Sequence, residues 1–431
     1  MKHPKNISAV LGLSWGDEGK GKIVDALAHE FDIVMRFNGG GNAGHTIVLG
    51  EKTFKLHHIP AGIFSLPVTN IIGRKCVVDL FDIADEIQQL RNDGIEISSR
   101  NLKISHEAQV VLPHHKRIDN LRETLRGGGK VGTTGKGIGP AYADLISRAG
   151  ISLGEITQKN SFREKLNNEL RIFNAIAREF SEEEIPVNEL EEKIFSLQDA
   201  LAPFVQDSYL FLWKRLREGK KLLLEGAQGA LLDAYFGTRP FVSSSLACIH
   251  GALLDLGISF SDMEEIIGVT KLYNTRVGSG AFPTEFQDET LKNLIQGRGK
   301  EFGATTGRAR RCGWLDIPSL NLVSRVNNIT SYAITKVDVL DTLEEIKICD
   351  AFFSDKTNTE IPFLPGNDEY LREATPRFQS FSGWKCSTAG VVANEELPPH
   401  LNLILKFISE KTNVPIQYVS TGAKREELVK I

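Results

Sequence analysis

The chain has 431 residues, with 51 Lys plus Arg against 55 Asp plus Glu, a formal net charge of −4 and 41% hydrophobic content. That length allows two or three average domains or one large α/β domain, and the mixture is ordinary for a soluble globular protein. The slightly acidic balance gives no global basic field for nucleic acid, so basic clusters are judged one at a time. Five scattered cysteines, Cys76, Cys248, Cys312, Cys349 and Cys386, form no CxxC, which argues against a disulfide scaffold or structural zinc and for a reducing compartment. There is no run of about 18 apolar residues and no signal-peptide pattern, so a cytoplasmic protein is expected.

In chain order, Ile7–Leu13 reads as a buried strand and Gly19–Glu30 as the helix after it. Between them lies Gly16-Asp17-Glu18-Gly19-Lys20-Gly21-Lys22. Glycines let backbone N–H groups approach a phosphate, and lysine neutralises it. The position after Lys22 is Ile23 rather than the hydroxyl residue that would hold magnesium, and a carboxylate, Asp17, sits inside the loop. An anion facing an anionic nucleotide is costly unless it binds a cation or takes a proton, so Asp17 is expected to do chemical work. The alternative is a glycine-rich turn with solvated charges.

Asp32–Phe37 is a second strand candidate, running into the glycine-dense segment Asn38 to Thr46, after which Thr46–Leu49 is extended. Leu80–Asp93 has helical apolar spacing, Lys103–Glu107 and Val110–Pro113 read as short extended pieces, and Arg126–Tyr142 is a third glycine-rich stretch with paired threonines and two lysines, an ordered anion site. Phe162 to Arg217 is helix-rich scaffold, an insertion over about 155–220. Lys221–Glu225, Ile266–Tyr273, Ser331–Lys336 and Pro415–Ser420 are strands, each followed by a polar loop. Recurring strand, loop and helix predict an α/β fold with ligands at strand C-termini. No linker is evident, so one continuous domain over 1–431 is expected.

Three groups carry chemistry. Asp17 and His45 stand on separate glycine loops and form a base and acid pair if those loops converge. Gly303 to Arg311 places three arginines beside threonines, suited to a dicarboxylate or a phosphorylated substrate, or else to a solvated turn or nucleic acid. Thr335-Lys336-Val337-Asp338 is a Lys-x-Asp element after a strand, able to recognise guanine. The pairs His57-His58 and His114-His115 are read as non-metal, since neighbours on a strand point to opposite faces.

These segments together resemble the adenylosuccinate synthetase family nearly end to end: Trp15–Lys22, Gly41–Thr46, Val131–Tyr142, Glu225–Asp233, Thr275–Thr284, Glu301–Asp316, Thr335–Leu340 and Val419–Gly422 follow the family's order. The resemblance implies a P-loop-NTPase-like α/β fold around a mostly parallel sheet with helical insertions. It implies ligation of L-aspartate to IMP with GTP and magnesium, through 6-phosphoryl-IMP, in de novo AMP synthesis and purine salvage. By the same resemblance Asp17, Lys20, His45 and Gln228 are catalytic, and Asp17 and the Gly44 carbonyl bind the metal. IMP falls to Asp17, Glu18, Gly19, Lys20, Asn42, Ala43, Gly44, His45, Thr134, Gln228, Ser243 and Arg308, with Arg148 contributed across a homodimer. GTP falls to Gly16 through Lys22 (Gly16, Asp17, Glu18, Gly19, Lys20, Gly21, Lys22), to Gly44, His45, Thr46 and Arg310, and to Lys336, Val337, Asp338, Ser420, Thr421 and Gly422. Aspartate falls to Ala304, Thr305, Thr306, Gly307, Arg308, Ala309 and Arg310. No nucleic-acid or membrane partner is implied.

The chain departs from the family pattern at Asn38, where glutamine is common, at Lys136 for arginine, at Ser243 for threonine, at Ala309 inside the arginine run, and at Leu246–His250. These bear on the acceptor and on affinity and leave the phosphate chemistry intact. Two rivals keep parts of this reading: amine ligation to another purine nucleotide such as a deoxy-GMP, and a nucleotide-binding switch without turnover.

Overall fold

The structure, a computed structural model, describes residues 5–303, 307, 309–363, 366 and 368–431. Among these, ten strands form a central sheet in the order Leu428–Lys430, Ile416–Ser420, Ser331–Thr335, Met263–Lys271, Ile7–Gly12, Leu222–Gly229, Ile33–Arg36, Thr69–Ile72, Leu102–Ser105 and Val205–Gln206. Every adjacent pair is parallel except the final hairpin of Ile416–Ser420 with Leu428–Lys430.

Apolar runs such as Leu222-Leu223-Leu224 have a simple cause. Successive side chains point to opposite faces, and both faces are covered. Ala9, Leu11, Leu222, Leu224, Ile33 and Met35 enter one core, with the helices Ser208–Arg217, Ile249–Leu256, Ile317–Asn327 and Pro399–Thr412. Val10, Leu223, Val34, Ile72 and Val269 enter the other, with Lys20–Leu27, Leu80–Asn92, Lys159–Glu179 and Val187–Leu201. The result is a doubly wound α/β sheet. The five cysteines are free thiols, all buried but Cys386.

Several expectations shift. Val110–Pro113 is not one extended piece: strand Gln109–Val111 gives way to a helix over Pro113–Leu125. Proline at a helix's first position lacks only an N–H that would have no partner anyway. The helical stretch from 162 to 217 also contains the edge strand Val205–Gln206. Glu345–Ser354 and Ala374–Ser382 pair antiparallel in a small separate sheet.

Candidate functional site

The sheet's parallel strands end on one rim, where the loops after Gly12, Arg36, Gly229, Lys271, Thr335 and Ser420 gather. The first loop is built by glycines and one carboxylate. Gly16, Asp17 and Gly19 have φ of 88°, 58° and 91°, so Asp17 is a non-glycine residue held in the left-handed region. Such a conformation persists only where its surroundings impose it. Glu18 is fully buried; its Oε1 accepts from the N–H groups of Ser14 (3.0 Å) and Gly16 (2.9 Å), and its Oε2 takes the Lys20 ammonium at 2.6 Å. A Cβ at Gly12 or Gly229 would strike this carboxylate at 2.4 or 2.3 Å, so both glycines make its room.

The second loop meets the first. His45 opens strand His45–Leu49, and a Cβ at Gly21 would stand 2.7 Å from the His45 Cβ. His45 Nδ1 lies 2.6 Å from Glu225 Oε1, midway along Leu222–Gly229. The other Glu225 oxygen accepts from Ala61 N–H at 2.8 Å, so the carboxylate is fixed on both sides. A carboxylate only accepts, which puts the hydrogen on Nδ1 and leaves Nε2 as the reactive edge. The loop behind His45 is held by the buried Arg36, which donates to Asn38 O (3.3 Å), Gly40 O (2.8 Å) and His57 O. His57 Nδ1 in turn reaches Ala43 O at 2.7 Å. Glu86 accepts from the N–H groups of His57, His58 and Ile59, and burial pushes its carboxyl up to about 7.

A polar chain joins the second loop to the end of Leu222–Gly229. Asn38 bonds both N–H and C=O of Ala227, at 2.9 and 3.2 Å, and Ser245 Oγ at 3.2 Å. Gln228, itself left-handed with φ 57°, donates to Asn42 Oδ1 (3.1 Å) and accepts from Ser245 Oγ (2.9 Å), which lies 3.3 Å from Ser243 Oγ. The substitution at Asn38 is thus absorbed by a complete set of partners. The third glycine stretch packs alongside, where Tyr142 Oη accepts from Gly39 N–H at 3.1 Å. Lys136 pairs with Asp82 at 2.8 Å; Thr134 and Arg148 are exposed, Arg148 at the C-terminal end of helix Ile138–Ser147.

Arg310 bridges two acids. Its Nε is 2.8 Å from Asp17 Oδ2, an ion pair off the N–H axis, and its Nη1 is 2.8 Å from Glu301 Oε2. Glu301 also takes Lys271 at 3.1 Å and Tyr273 Oη at 2.6 Å. Burial alone would raise the Glu301 carboxyl; Lys271, Lys336, Arg310 and the Tyr273 bond outweigh it and hold it at about 2. Lys336, left-handed with φ 61°, donates to Gly299 O at 2.8 Å, and burial raises the nearby Asp338 carboxyl. Ser420 and Thr421 are buried on the same rim, Gly44 precedes strand His45–Leu49, in which Thr46 lies, and Ala309 forms a bridge with Phe302. Ala304, Thr305, Thr306 and Arg308 lie outside the described residues.

Sequence reasoning missed the supporting acids and bases: Glu225, Glu301, Arg36, Glu86 and Lys271. The one visible signal was a carboxylate or cation at the end of an apolar strand. The opposite-face argument for His114 and His115 also fails, because both sit on a helix with ring centroids 4.0 Å apart, beside Asp144. Even so, His115 is spent: Nδ1 accepts from Leu112 N–H (2.8 Å) and Nε2 lies 2.9 Å from Asp144. A metal on Nε2 would require an imidazolate.

Comparison with known proteins gives the family and the fold. Residues 9–429 match the family model described as adenylosuccinate synthetase. The chain is 40% identical over 420 residues to adenylosuccinate synthetase of Clostridium novyi, covering 97% of this chain and 98% of that one. It is 41% identical to that of Chlorobium phaeobacteroides over 99% of this chain and 98% of the other. The solved, fully ligated adenylosuccinate synthetase of Plasmodium falciparum superposes with a TM-score of 0.93 at 34% identity, over 99% of this chain and 100% of that one. A cyanophage S-2L succinoaminodeoxyadenylate synthetase, at 17% identity, TM-score 0.63 and 99% and 95% coverage, shares the fold. From residue 9 to residue 429, then, the chain belongs to the adenylosuccinate synthetase family and is a ligase.

Proposed function

We propose that this protein joins L-aspartate to IMP, driven by GTP, giving adenylosuccinate, GDP and phosphate through a 6-phosphoryl-IMP intermediate. Asp17 takes the proton from N1 of IMP, which makes the 6-oxygen a nucleophile. That oxygen attacks the γ-phosphorus, the bond to the β–γ bridging oxygen breaks, and GDP leaves. His45 donates from Nε2 to the phosphoryl oxygens as charge develops, while Lys20 and the loop N–H groups add positive potential. The aspartate amine then attacks C6, the C6–O bond breaks and phosphate leaves with the oxygen; the protons lost from N1 and from the amine go to the departing phosphate and to solvent. Gln228 and Asn42 orient the purine, and Ser243 and Thr134 supply hydroxyls to IMP. Residues 304–310 close on aspartate, and Lys336, Asp338, Ser420 and Gly422 hold guanine.

Asp17 turns one carboxylate oxygen to Arg310; its second oxygen, together with the Gly44 carbonyl, would hold a hard cation. Few protein oxygens plus phosphate oxygens suit magnesium, which when bound neutralises triphosphate charge. We propose a homodimer in which Arg148 serves the partner's IMP phosphate. Its exposure beside Ile146, which is 81% exposed, supports this. The proposal places the enzyme in the cytoplasm, in de novo AMP synthesis and purine salvage. Among the described residues no helix is long and apolar enough to cross a membrane.

The observation that carries the reading is the seating of His45 directly on Gly21, in the first turn of the helix that follows the Asp17 loop. The test is adenylosuccinate formation from IMP, aspartate and GTP, with each component omitted in turn. Turnover should require all three, and Asp17→Ala should lose at least about 100-fold in turnover while staying folded. Product formed without GTP, or an alanine variant with near wild-type rates, overturns the proposal.

A further inference from the structure

Lys22 holds the lysine position of a Gly-x-x-x-x-Gly-Lys loop, where the ammonium is expected on phosphate. In this fold it is engaged elsewhere. Its Nζ lies 2.6 Å from Ser420 Oγ, 2.6 Å from Gly422 O and 2.6 Å from Glu427 O. Three acceptors match the three N–H groups of an ammonium, so the side chain is fully spent. All three belong to the turn that follows strand Ile416–Ser420, about 400 residues away in sequence. The turn has other ties as well: Ser420 Oγ donates to Gly422 O (3.0 Å), Thr421 N–H to Glu427 O (3.1 Å), Thr421 Oγ1 to Val391 O (2.7 Å) and Lys424 N–H to Glu427 Oε2 (2.8 Å). Its far side is paired to helix Lys20–Leu27, which carries Lys22, through Arg425 and Asp25 (2.8 and 2.6 Å), whereas Lys22 is what reaches Ser420 and Gly422 from that helix. Lys20, two residues earlier, is already present in the phosphate loop as a cation.

Burial lowers the Lys22 ammonium to about 8, against the opposing carboxylates Glu427, Asp338 and Glu426 and with a small further push from Lys336. A cation stripped of water in this way needs its replacement acceptors, and pulling it away to phosphate would give up all three of them.

We infer that Lys22 is a positioning residue for the base end of the nucleotide site, tying the first turn of helix Lys20–Leu27 to the Ser420–Gly422 turn. This deepens the GTP reading and rests on it. The phosphate-loop helix then sets where the guanine-holding turn sits, and phosphate and base are held at a fixed spacing.

The test compares wild type with Lys22→Met in equilibrium binding of guanosine, of GTP and of inorganic tripolyphosphate, each with magnesium. Guanosine and GTP should lose affinity by the same factor, about tenfold or more, with tripolyphosphate unchanged. Loss for GTP and tripolyphosphate with guanosine unaffected would make Lys22 a phosphate ligand and overturn the inference; so would unchanged affinity for all three. Wild type that binds neither guanosine nor GTP would instead overturn the GTP reading. Lys22→Arg keeps the charge but cannot bring three oxygens to one nitrogen. It should show the same guanosine loss, so a methionine variant that fails to fold leaves the question decidable.

Discussion

Glu225 decides which nitrogen of His45 is available for chemistry. The bond of 2.6 Å to Nδ1 and the anchoring of the second oxygen by Ala61 fix both ring orientation and tautomer. A glutamine in its place has an amide that donates as well as accepts, so the ring is no longer forced into one state. Glu225→Gln should therefore lower turnover roughly 100-fold or more, with the Michaelis constants for IMP and GTP changed only a few-fold. Nitrogen NMR of His45 should show the tautomer change, and an unchanged spectrum would assign Glu225 a purely structural part. At this scale the meeting of the Asp17 and His45 loops was legible, because glycine-rich surroundings set both residues apart. Glu225 was not, because nothing local says that a carboxylate at the end of Leu222-Leu223-Leu224 reaches a histidine 180 residues earlier.

The helix Lys20–Leu27 connects the two loops through Gly21. In an isolated helix alanine is favoured over glycine by about 1 kcal/mol. Here the added Cβ would stand 2.7 Å from the His45 Cβ, closer than such carbons pack, so strand His45–Leu49 must shift. Gly21→Ala should therefore leave helix content and the thermal midpoint near wild type while cutting turnover about 100-fold, the scale of a displacement of about 1 Å at a reacting group. Circular dichroism beside the ligation assay checks both halves. Most elements were legible from apolar runs and glycine loops. Helix Pro113–Leu125 was not, because its proline read as the close of an extended piece. The antiparallel sheet of Glu345–Ser354 and Ala374–Ser382 also escaped, because its partners are separated by a long connection.

Across the molecule, Glu301 gathers segments that are remote in sequence. Lys271 and Tyr273 come from the end of one central strand and the residues after it, and Arg310 carries the connection on to Asp17. Glu301→Gln would leave buried cations without their anion, a loss of about 3–5 kcal/mol. The carboxyl is held at about 2 in the fold against an ordinary 4.5, so its contribution is present above 4.5 and is lost as pH falls towards 2. Urea midpoints should show the widest gap between wild type and variant near neutrality, narrowing as pH drops below 4.5. A gap independent of pH would mean that shape, not charge, explains the loss.

By itself, the order of strand-like runs and glycine loops determined an α/β sheet and a phosphate-handling rim, and it singled out Asp17 and His45 as the pair proposed to react there. Those are local properties: period, glycine content, and charges placed where nothing else explains them. Only the tertiary structure decided that Lys22 faces Ser420, Gly422 and Glu427, that Glu225 seats His45, and that Glu301 binds Arg310 and Lys271. Each of those pairings joins groups brought together by the winding of the sheet, and a buried charge takes whichever partner that winding delivers.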